Sequence, residues 1–588
     1  MSHSSSLGRP IRVEPLHFPS DAVLRVPGSK SEANRLLVAA ALSGKTVTIT
    51  GASASDDVCH LVNGLATLGY AARFADSSNG TVVVGPRQDA SQAAAGGTLF
   101  CGNAGTALRF LISVAAITPG EWVITGDEHM QRRPIQPLVD AWRALGLDIE
   151  ATNGCPPVRL RGAAGTPQTL ADHVQLDASV SSQFLSSLML VAARMPAGLR
   201  IDFDGPLASR GYAALTLRML ARFGVTGELG ANFARVAPGY GDAPPRAVVG
   251  GDWSGMGAWT CLNHSTKSKV TAPNLATASG QSDEQLATAL RAFDSLERTI
   301  DVEPIPDQFL NLAAFAATVP GTTRLVGAAN VRVKECDRVA VMARELRKCG
   351  IVLQEHDDGL TVHGSAAIRT ATIDPEADHR VAMAFALLGL LRGHITVHQP
   401  ECVAKSYPAF WQDVQAVRRQ HRAVTLVGMR AAGKTTLADA LAARTGSAWV
   451  DTDAQFVAMH GPIAEFVQKH GWPAFRTHEE QLVAAALQPG TIVATGGGAI
   501  ESAATRKLLH ETSHCVFLHA PLDILQQRLA ADASAHRPSL TGRSALEELP
   551  DVWRRRLPLY QDTAHRTVLL DAATSTADAV DALLHRTP

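Results

Sequence analysis

The chain has 588 residues, too many for one ordinary hydrophobic core, which predicts about three or four domains. With 46% hydrophobic and 19% charged residues and a formal net charge of −1, it reads as globular, with no global basic field to attract nucleic acid. Any anionic ligand must therefore be held by local clusters; aromatics are only 5%, which argues against broad base-stacking surfaces, and no run nears the ~18 apolar residues of a membrane span.

The opening MSHSSSLGRPIRVEP lacks the apolar stretch of a signal peptide, and the eight cysteines are scattered with no CxxC pair. This points to a reducing, cytoplasmic setting with no disulfide framework, no zinc site and no membrane partner. Oligomeric state is open, with a monomer as the expectation.

In chain order, one pattern recurs: a β-rich run, a polar loop, then an amphipathic helix. It starts at Thr46, Trp122, Leu199, Thr322 and His394, and a degraded sixth copy from Lys269 fills a double-length gap. The helices follow from apolar spacing, as with Val339, Met342, Ala343 and Leu346 on one face. Generic α/β alternation is the plainer alternative, and the regular spacing favours six repeats.

The strand-to-helix turns carry polar and basic side chains. Gly28-Ser29-Lys30-Ser31 with Arg35 opens one helix, Gly102-Asn103-Ala104-Gly105 with Arg109 opens another, and Gln131-Arg132-Arg133 follows the next strand. Ser181-Ser182-Gln183, Ser209 and Tyr212 add neutral groups; Asp307, Asn330, Lys334-Glu335, Arg338, Asp378-His379-Arg380 and Lys405 complete the set. Taken singly, each Arg or Lys is more readily a solvated surface residue. As an ordered set at helix N-termini they predict one cleft for multiply anionic small molecules, with carboxylates among the cations for acid–base work.

These motifs resemble the EPSP synthase (3-phosphoshikimate 1-carboxyvinyltransferase) family over residues 12–418. The resemblance implies an α/β fold of two globules, helices inside and sheets outside, each globule from three repeats. One would span about 22–246 and the other about 12–21 plus 247–418. It implies that Lys30, Ser31, Arg35, Ser181, Ser182, Gln183, Ser209, Tyr212, Asp307, Asn330 and Lys334 contact shikimate 3-phosphate. Lys30, Asn103, Gly105, Arg109, Arg133, Gln183, Arg338, Arg380 and Lys405 would surround phosphoenolpyruvate. The implied reaction adds the 5-OH to C2 of phosphoenolpyruvate, protonates C3 and eliminates phosphate. Asp307 would be the base on the 5-OH, Glu335 the proton donor to C3, and Lys30 a further catalytic group. No cofactor is implied, since guanidinium and ammonium groups supply the charge.

Two departures stand out. Phe110 follows Arg109 where bacterial members commonly have Pro, which is expected to shift the helix carrying Gly105 and with it glyphosate sensitivity. Gly251-Asp252-Trp253-Ser254-Gly255-Met256-Gly257 replaces a stretch usually richer in Ser and Ala, and with the polar CLNHSTKSK behind it predicts a weakened helix.

The repeats stop near Val417. The polar QAVRRQHRA then precedes a new apolar strand, VTLVGM, which predicts a boundary at about residue 420, giving domains 1–420 and 421–588. Gly428-Met-Arg-Ala-Ala-Gly433-Lys434-Thr435 matches G-x-x-x-x-G-K-[ST] between a strand (Val424 to Val427) and a helix with Leu437 and Leu441 on its apolar face. A chance glycine-rich turn is a poor alternative in that context. The loop around Gly428, Ala431, Ala432 and Gly433 is expected to wrap the phosphates of ATP, with Thr436 beside it. Lys434 offsets β/γ charge and Thr435 ligates Mg²⁺.

Asp451 and Asp453 close a second strand, where ligands sit in open α/β sheets. Phe475-Arg476, Glu479, Gly496-Gly497-Gly498, Arg537-Pro538 and Arg556-Leu-Pro-Leu-Tyr560 follow. Each is weak alone, and in this order they resemble shikimate kinase across residues 423–588. The resemblance implies a P-loop kinase domain with a parallel sheet, in which Asp451 and Thr435 hold Mg²⁺ and Asp453 positions the shikimate 3-OH. Arg476 and Arg556 would grip the shikimate carboxylate, Gly497 and Gly498 would line the acceptor, and Arg537 would sit on a lid over ATP. Gly471-Trp472 stands where the family often has Gly-Glu, a departure expected to matter little.

Two alternatives share some of these features. UDP-N-acetylglucosamine enolpyruvyltransferase shares the repeat architecture, but SSQF, VKECDR and the adjacent kinase motifs favour the shikimate substrate. A metabolite- or ATP-sensing module in one half is disfavoured by intact Asp307, Glu335, Lys434 and Asp453. The resemblance therefore implies a bifunctional enzyme of chorismate and aromatic amino acid biosynthesis. Its partners would be shikimate, ATP, shikimate 3-phosphate and phosphoenolpyruvate, in the domain order found inside the fungal five-activity polypeptide.

Overall fold

The computed structural model describes residues 8–88, 96–163, 170–179, 181–205, 207, 209–277, 279–365, 367–531 and 544–584. They form two compact units. The first holds the chain up to Pro15, Val23–Ser265 and Ala272–Trp411; the second holds Leu16–Ala22, Thr266–Thr271 and the chain from Gln412 on. This partition differs from the single cut expected at about 420. Its seam falls at Trp411, and two short upstream stretches join the second unit because their backbones pair there.

Five sheets of the first unit share one plan. Their central strands are Val47–Thr50, Gly120–Thr125, Leu199–Asp202, Gly321–Val326 and Ile395–Val397, at the starts of five of the repeats. Each central strand pairs in parallel with one neighbour and antiparallel with the other. The copy from Lys269 has no sheet of its own among the described residues. It forms short helical turns over Ser282–Gln285, Leu286–Ala289 and Leu290–Asp294, because the preceding TAPNLATASGQS carries turn residues more than β-branched ones.

Helices Lys30–Ser43, Gly105–Ala116 and Ser182–Ala192 lie inside one core running from Ala33 to Val249. They are apolar on nearly every face, as enclosed helices must be. Phe309–Ala316 and most of His379–Arg392 are buried likewise. Trp253–Thr266 is a full helix, which corrects the expectation of weakness there. Gly257 lies so close to the next helix that a Cβ would sit 2.5 Å from Asn311 Nδ2, and Trp259, Cys261 and Leu262 are fully buried. That burial outweighs the ~1 kcal/mol each glycine costs a helix.

The second unit is built on five parallel strands. Their order is Ala448–Asp451, Thr491–Ala494, Ala423–Val427, Ser513–His519 and Arg566–Leu569. Ala423–Val427 is buried at every position, as suits a strand covered on both faces. Ile463–Ala486 is two helical runs meeting at Gly471, whose φ of 81° no helix admits. Among the described residues no helix is long and apolar enough to cross a membrane.

Candidate active sites

In the first unit, helix starts converge on one cleft. Lys30, Gly105, Ser182, Arg338 and His379 each open a helix, so backbone N–H groups and cations face the same space. The cavity, about 540 Å³, is lined by Lys30, Ser31, Arg35, Gly105, Arg133, Gln183, Tyr212, Asp307, Lys334, Glu335, Arg338 and Arg380, with Asp57 and Thr106. Three expected residues, Arg109, Asn103 and Lys405, join it through a lining neighbour, and two more, Ser209 and Asn330, do not line it. Arg109 donates to Gln183 Oε1 at 2.5 Å, Arg133 to Asn103 Oδ1 at 3.3 Å, and Lys405 to Glu335 Oε1 at 2.8 Å. Ser209 and Asn330 pair with each other at 3.2 Å, and Ser209 N donates to Glu303. Ser181 and Ser182 begin the helix of Gln183 without lining the cavity.

Arg338 is the knot of the cleft. Its guanidinium, 2% exposed, reaches Asp378 at 2.8 Å, Glu335 at 2.9 Å and Asp307 at 3.2 Å. Asp307 also meets Arg380 at 3.0 Å and accepts from the Tyr212 hydroxyl at 3.0 Å. Arg35 gives four of its five N–H groups to Thr216, Ser31, Ser186 and the Tyr212 carbonyl, and its guanidinium lies 5.4 Å from the buried Phe110 ring. Sequence reasoning missed Asp57, which pairs with Lys30 at 2.7 Å. It occupies the same strand-to-helix turn that carries site residues in the other repeats, which was the available signal.

Charge in this cleft is unbalanced by design of the fold. Burial opposes ionisation of Asp307, yet Arg380, Lys334, Arg338 and Lys30 hold its carboxyl far below the usual range. Burial likewise opposes ionisation of Glu335, and Lys405, Arg338 and Arg133 keep it well below the usual range. Burial brings the Lys334 ammonium down to about 8, and burial with the adjacent Arg133 brings Arg109 down to about 9. Cations crowded and desolvated to this degree are stabilised by an arriving anion.

In the second unit, Ala431 (φ 63°) and Gly433 (φ 86°) bend the loop between Ala423–Val427 and the helix Lys434–Thr445. Lys434 Nζ donates to the carbonyls of Gly428 and Met429, both at 2.9 Å. Thr435 donates to Asp451 Oδ2 at 2.5 Å, while Asp451 Oδ1 caps the helix Thr452–His460. Ala432 is buried and Thr436 exposed. Beside the loop lies a second cavity, about 450 Å³, lined by Asp453, Arg476, Gly497, Gly498 and Arg556, and by Arg430, Ile463, Trp472, Phe475 and Glu479. A Cβ on Gly496 would sit 2.6 Å from Asp453 Oδ1 and 2.5 Å from Glu479 Oε1, so these two carboxylates converge there.

Glu501, which the sequence reading passed over, bridges the basic wall. It accepts from Arg555 at 2.5 Å, Arg556 at 3.1 Å and Arg476 at 3.3 Å. Arg556 and Tyr560 also donate to the Gly497 carbonyl. Burial raises the Glu479 carboxyl even though Arg476 contacts it. Trp472 is part of the pocket, its ring 5.3 Å from the Arg476 guanidinium, so the Gly471-Trp472 departure falls at the site. Arg537 lies outside the described residues.

Residues 19–414 match the family model described as EPSP synthase (3-phosphoshikimate 1-carboxyvinyltransferase), and residues 430–586 match the one described as shikimate kinase. The chain is 32% identical to a "Pentafunctional AROM polypeptide" of Komagataella phaffii over 93% of its length, and 31% identical to that of Candida glabrata over 92%. It spans 39% of the length of each. An EPSP synthase structure from Acinetobacter baumannii superposes with a TM-score of 0.56 at 23% identity, covering 69% of this chain and 97% of that one, a likeness of fold.

Proposed function

The chain belongs to the EPSP synthase family and carries a shikimate kinase segment behind it, and from that premise we propose a bifunctional enzyme of the shikimate pathway. The second unit transfers the γ-phosphoryl group of ATP to the 3-OH of shikimate. The first transfers the enolpyruvyl group of phosphoenolpyruvate to the 5-OH of the resulting shikimate 3-phosphate, releasing phosphate. The observation that carries this reading is the crowd of buried cations around ionised Asp307 and Glu335.

In that cleft the substrates' phosphates and carboxylates compete for cations that the two acids otherwise hold. As Arg380 and Lys334 turn to a substrate anion, Asp307 becomes a stronger base for the 5-OH. As Lys405 and Arg338 turn to phosphoenolpyruvate, Glu335 gains the proton affinity needed to deliver one to C3. Lys30, paired with Asp57, stands at the meeting point of both substrates.

In the kinase, Lys434 offsets phosphate charge and Asp453 orients the 3-OH for in-line transfer. Arg476 and Arg556 take the shikimate carboxylate, for which Glu501 holds their place. The hydroxyl of Thr435 and the carboxylate of Asp451 form a hard oxygen pair that fits Mg²⁺, which when bound neutralises β/γ-phosphate charge. All ligands are small soluble anions, which fits a cytoplasmic enzyme without nucleic-acid partners.

A coupled assay tests this. Full-length chain with shikimate, ATP, Mg²⁺ and phosphoenolpyruvate should produce 5-enolpyruvylshikimate 3-phosphate, with ADP and phosphate released in equal amounts. Product formed from supplied shikimate 3-phosphate but not from shikimate would remove the kinase half of the proposal, and no product from either would remove the synthase half.

A further inference from the structure

We propose that the second unit is a discontinuous fold, completed by a strap, Leu16–Ala22, that seats against the start of the phosphate-loop strand and on which that unit's stability depends. The strap is the middle of a three-stranded ribbon. On one side Ser20 bridges His421 in antiparallel sense, Arg422 N donates to the Pro19 carbonyl at 3.0 Å, and Asp21 N donates to Gln420 O at 3.3 Å. On the other, Lys269 N donates to Ser20 O at 2.7 Å and Thr271 N to Ala22 O at 3.0 Å, while Ser20 N donates to Ser268 Oγ at 2.9 Å. Ser20, Ser268 and His421 are buried, so these are bonds that water does not replace when they break.

Side chains lock the seat. Phe18 is 2% exposed and belongs to the same core as Val424, Leu426 and Val516 of the central sheet. Its ring centroid lies 5.2 Å from that of His421 and 6.1 Å from that of His514. Asp21 pairs with Arg422 at 2.7 Å. The residues the strap holds, 420–422, lead straight into Ala423–Val427, the strand that ends at Gly428 and the phosphate loop. The His421 carbonyl also accepts from Gly490 N at 2.6 Å, just before the neighbouring strand Thr491–Ala494.

Two physical consequences follow. Removing the strap uncovers an apolar hole where Phe18 sits and leaves backbone groups of 420–422 unpaired, so a cut at about 420 deletes part of the kinase fold. None of the strap's residues lines the acceptor cavity, so its loss is expected to act on stability and leave substrate recognition alone.

The test is hydrogen exchange on the full chain with Phe18→Ala and Phe18→Leu, at constant pH and temperature. Truncating a buried Phe should speed exchange of the Ala423–Val427 amides by about 100-fold, with helix Gly105–Ala116 as an unchanged internal reference. Phe18→Leu keeps most of the buried volume and should speed exchange by several-fold, so it decides the matter if the alanine variant is insoluble. Kinase KM values for ATP and shikimate should stay at wild-type levels, while heat inactivation of the kinase moves to lower temperature. Exchange of Ala423–Val427 at the wild-type rate in either soluble variant overturns the proposal. So does acceleration that is equal in Gly105–Ala116.

Discussion

Replacing Glu335 by Gln removes the proposed C3 proton donor while preserving shape, and its effect can be worked from its contacts. The carboxylate lies between Lys405 at 2.8 Å and Arg338 at 2.9 Å, with Asp307 and Asp378 also on Arg338. Arg338 therefore keeps two anionic partners in the variant, and Lys405 is the cation left without a counter-charge. An amide oxygen still accepts one hydrogen bond, so the cost in stability is about 1–3 kcal/mol, and the fold survives. The chemical step loses more. A positioned proton donor contributes roughly 10²–10⁴-fold, about 3–5 kcal/mol of barrier at 1.36 kcal/mol per decade. The freed positive charge should leave KM for phosphoenolpyruvate equal or lower, so kcat falls without a matching rise in KM. The assay is steady-state release of phosphate from saturating shikimate 3-phosphate and phosphoenolpyruvate. Kinase activity of the same preparation, read by ADP formation, is the control for folding. A kcat within tenfold of wild type, or a loss expressed mainly in KM, would refute the donor role.

Lys434→Ala should abolish ATP-dependent phosphorylation of shikimate and leave carboxyvinyl transfer intact when shikimate 3-phosphate is supplied; unequal loss in the other direction would reverse the division of labour. Asp453→Asn should slow phosphorylation by at least ~10²-fold with little change in ATP affinity measured by calorimetry, and a variant that loses ATP but keeps shikimate would move Asp453 to the nucleotide side. Lys334 is brought down to about 8, so its charge is present below that pH and lost above it. Affinity of the synthase for shikimate 3-phosphate should therefore weaken as pH rises through about 8, by up to tenfold per unit, and Lys334→Arg should flatten that profile.

Many of the residues lining both cavities could be named from the chain because they sit at local turns. A strand, a short loop and a helix start fix where a backbone N–H or a cation points, whatever lies beyond. That is why Lys30, Gly105, Arg338 and Arg380 could be named, and why Gly428 to Thr435 needed only a strand before it and a helix after it. Charge partners were harder, because a carboxylate's partner is chosen by packing. Nothing near Asp57 in sequence announces Lys30, and nothing near Glu501 announces Arg476 and Arg556. Propensity alone also marked Gly257 as a weakness, whereas close packing against Gln308 and Asn311 makes a small residue necessary there. The partition of the chain belonged wholly to tertiary structure. Linear composition marks a polar stretch near 420, but Leu16–Ala22 and Thr266–Thr271 join the second unit through backbone hydrogen bonds and through contacts, such as those of Phe18 and Asp21, with residues far away in sequence. Pairing of that kind depends on which strand edges meet in space, and a sequence read one window at a time does not contain it.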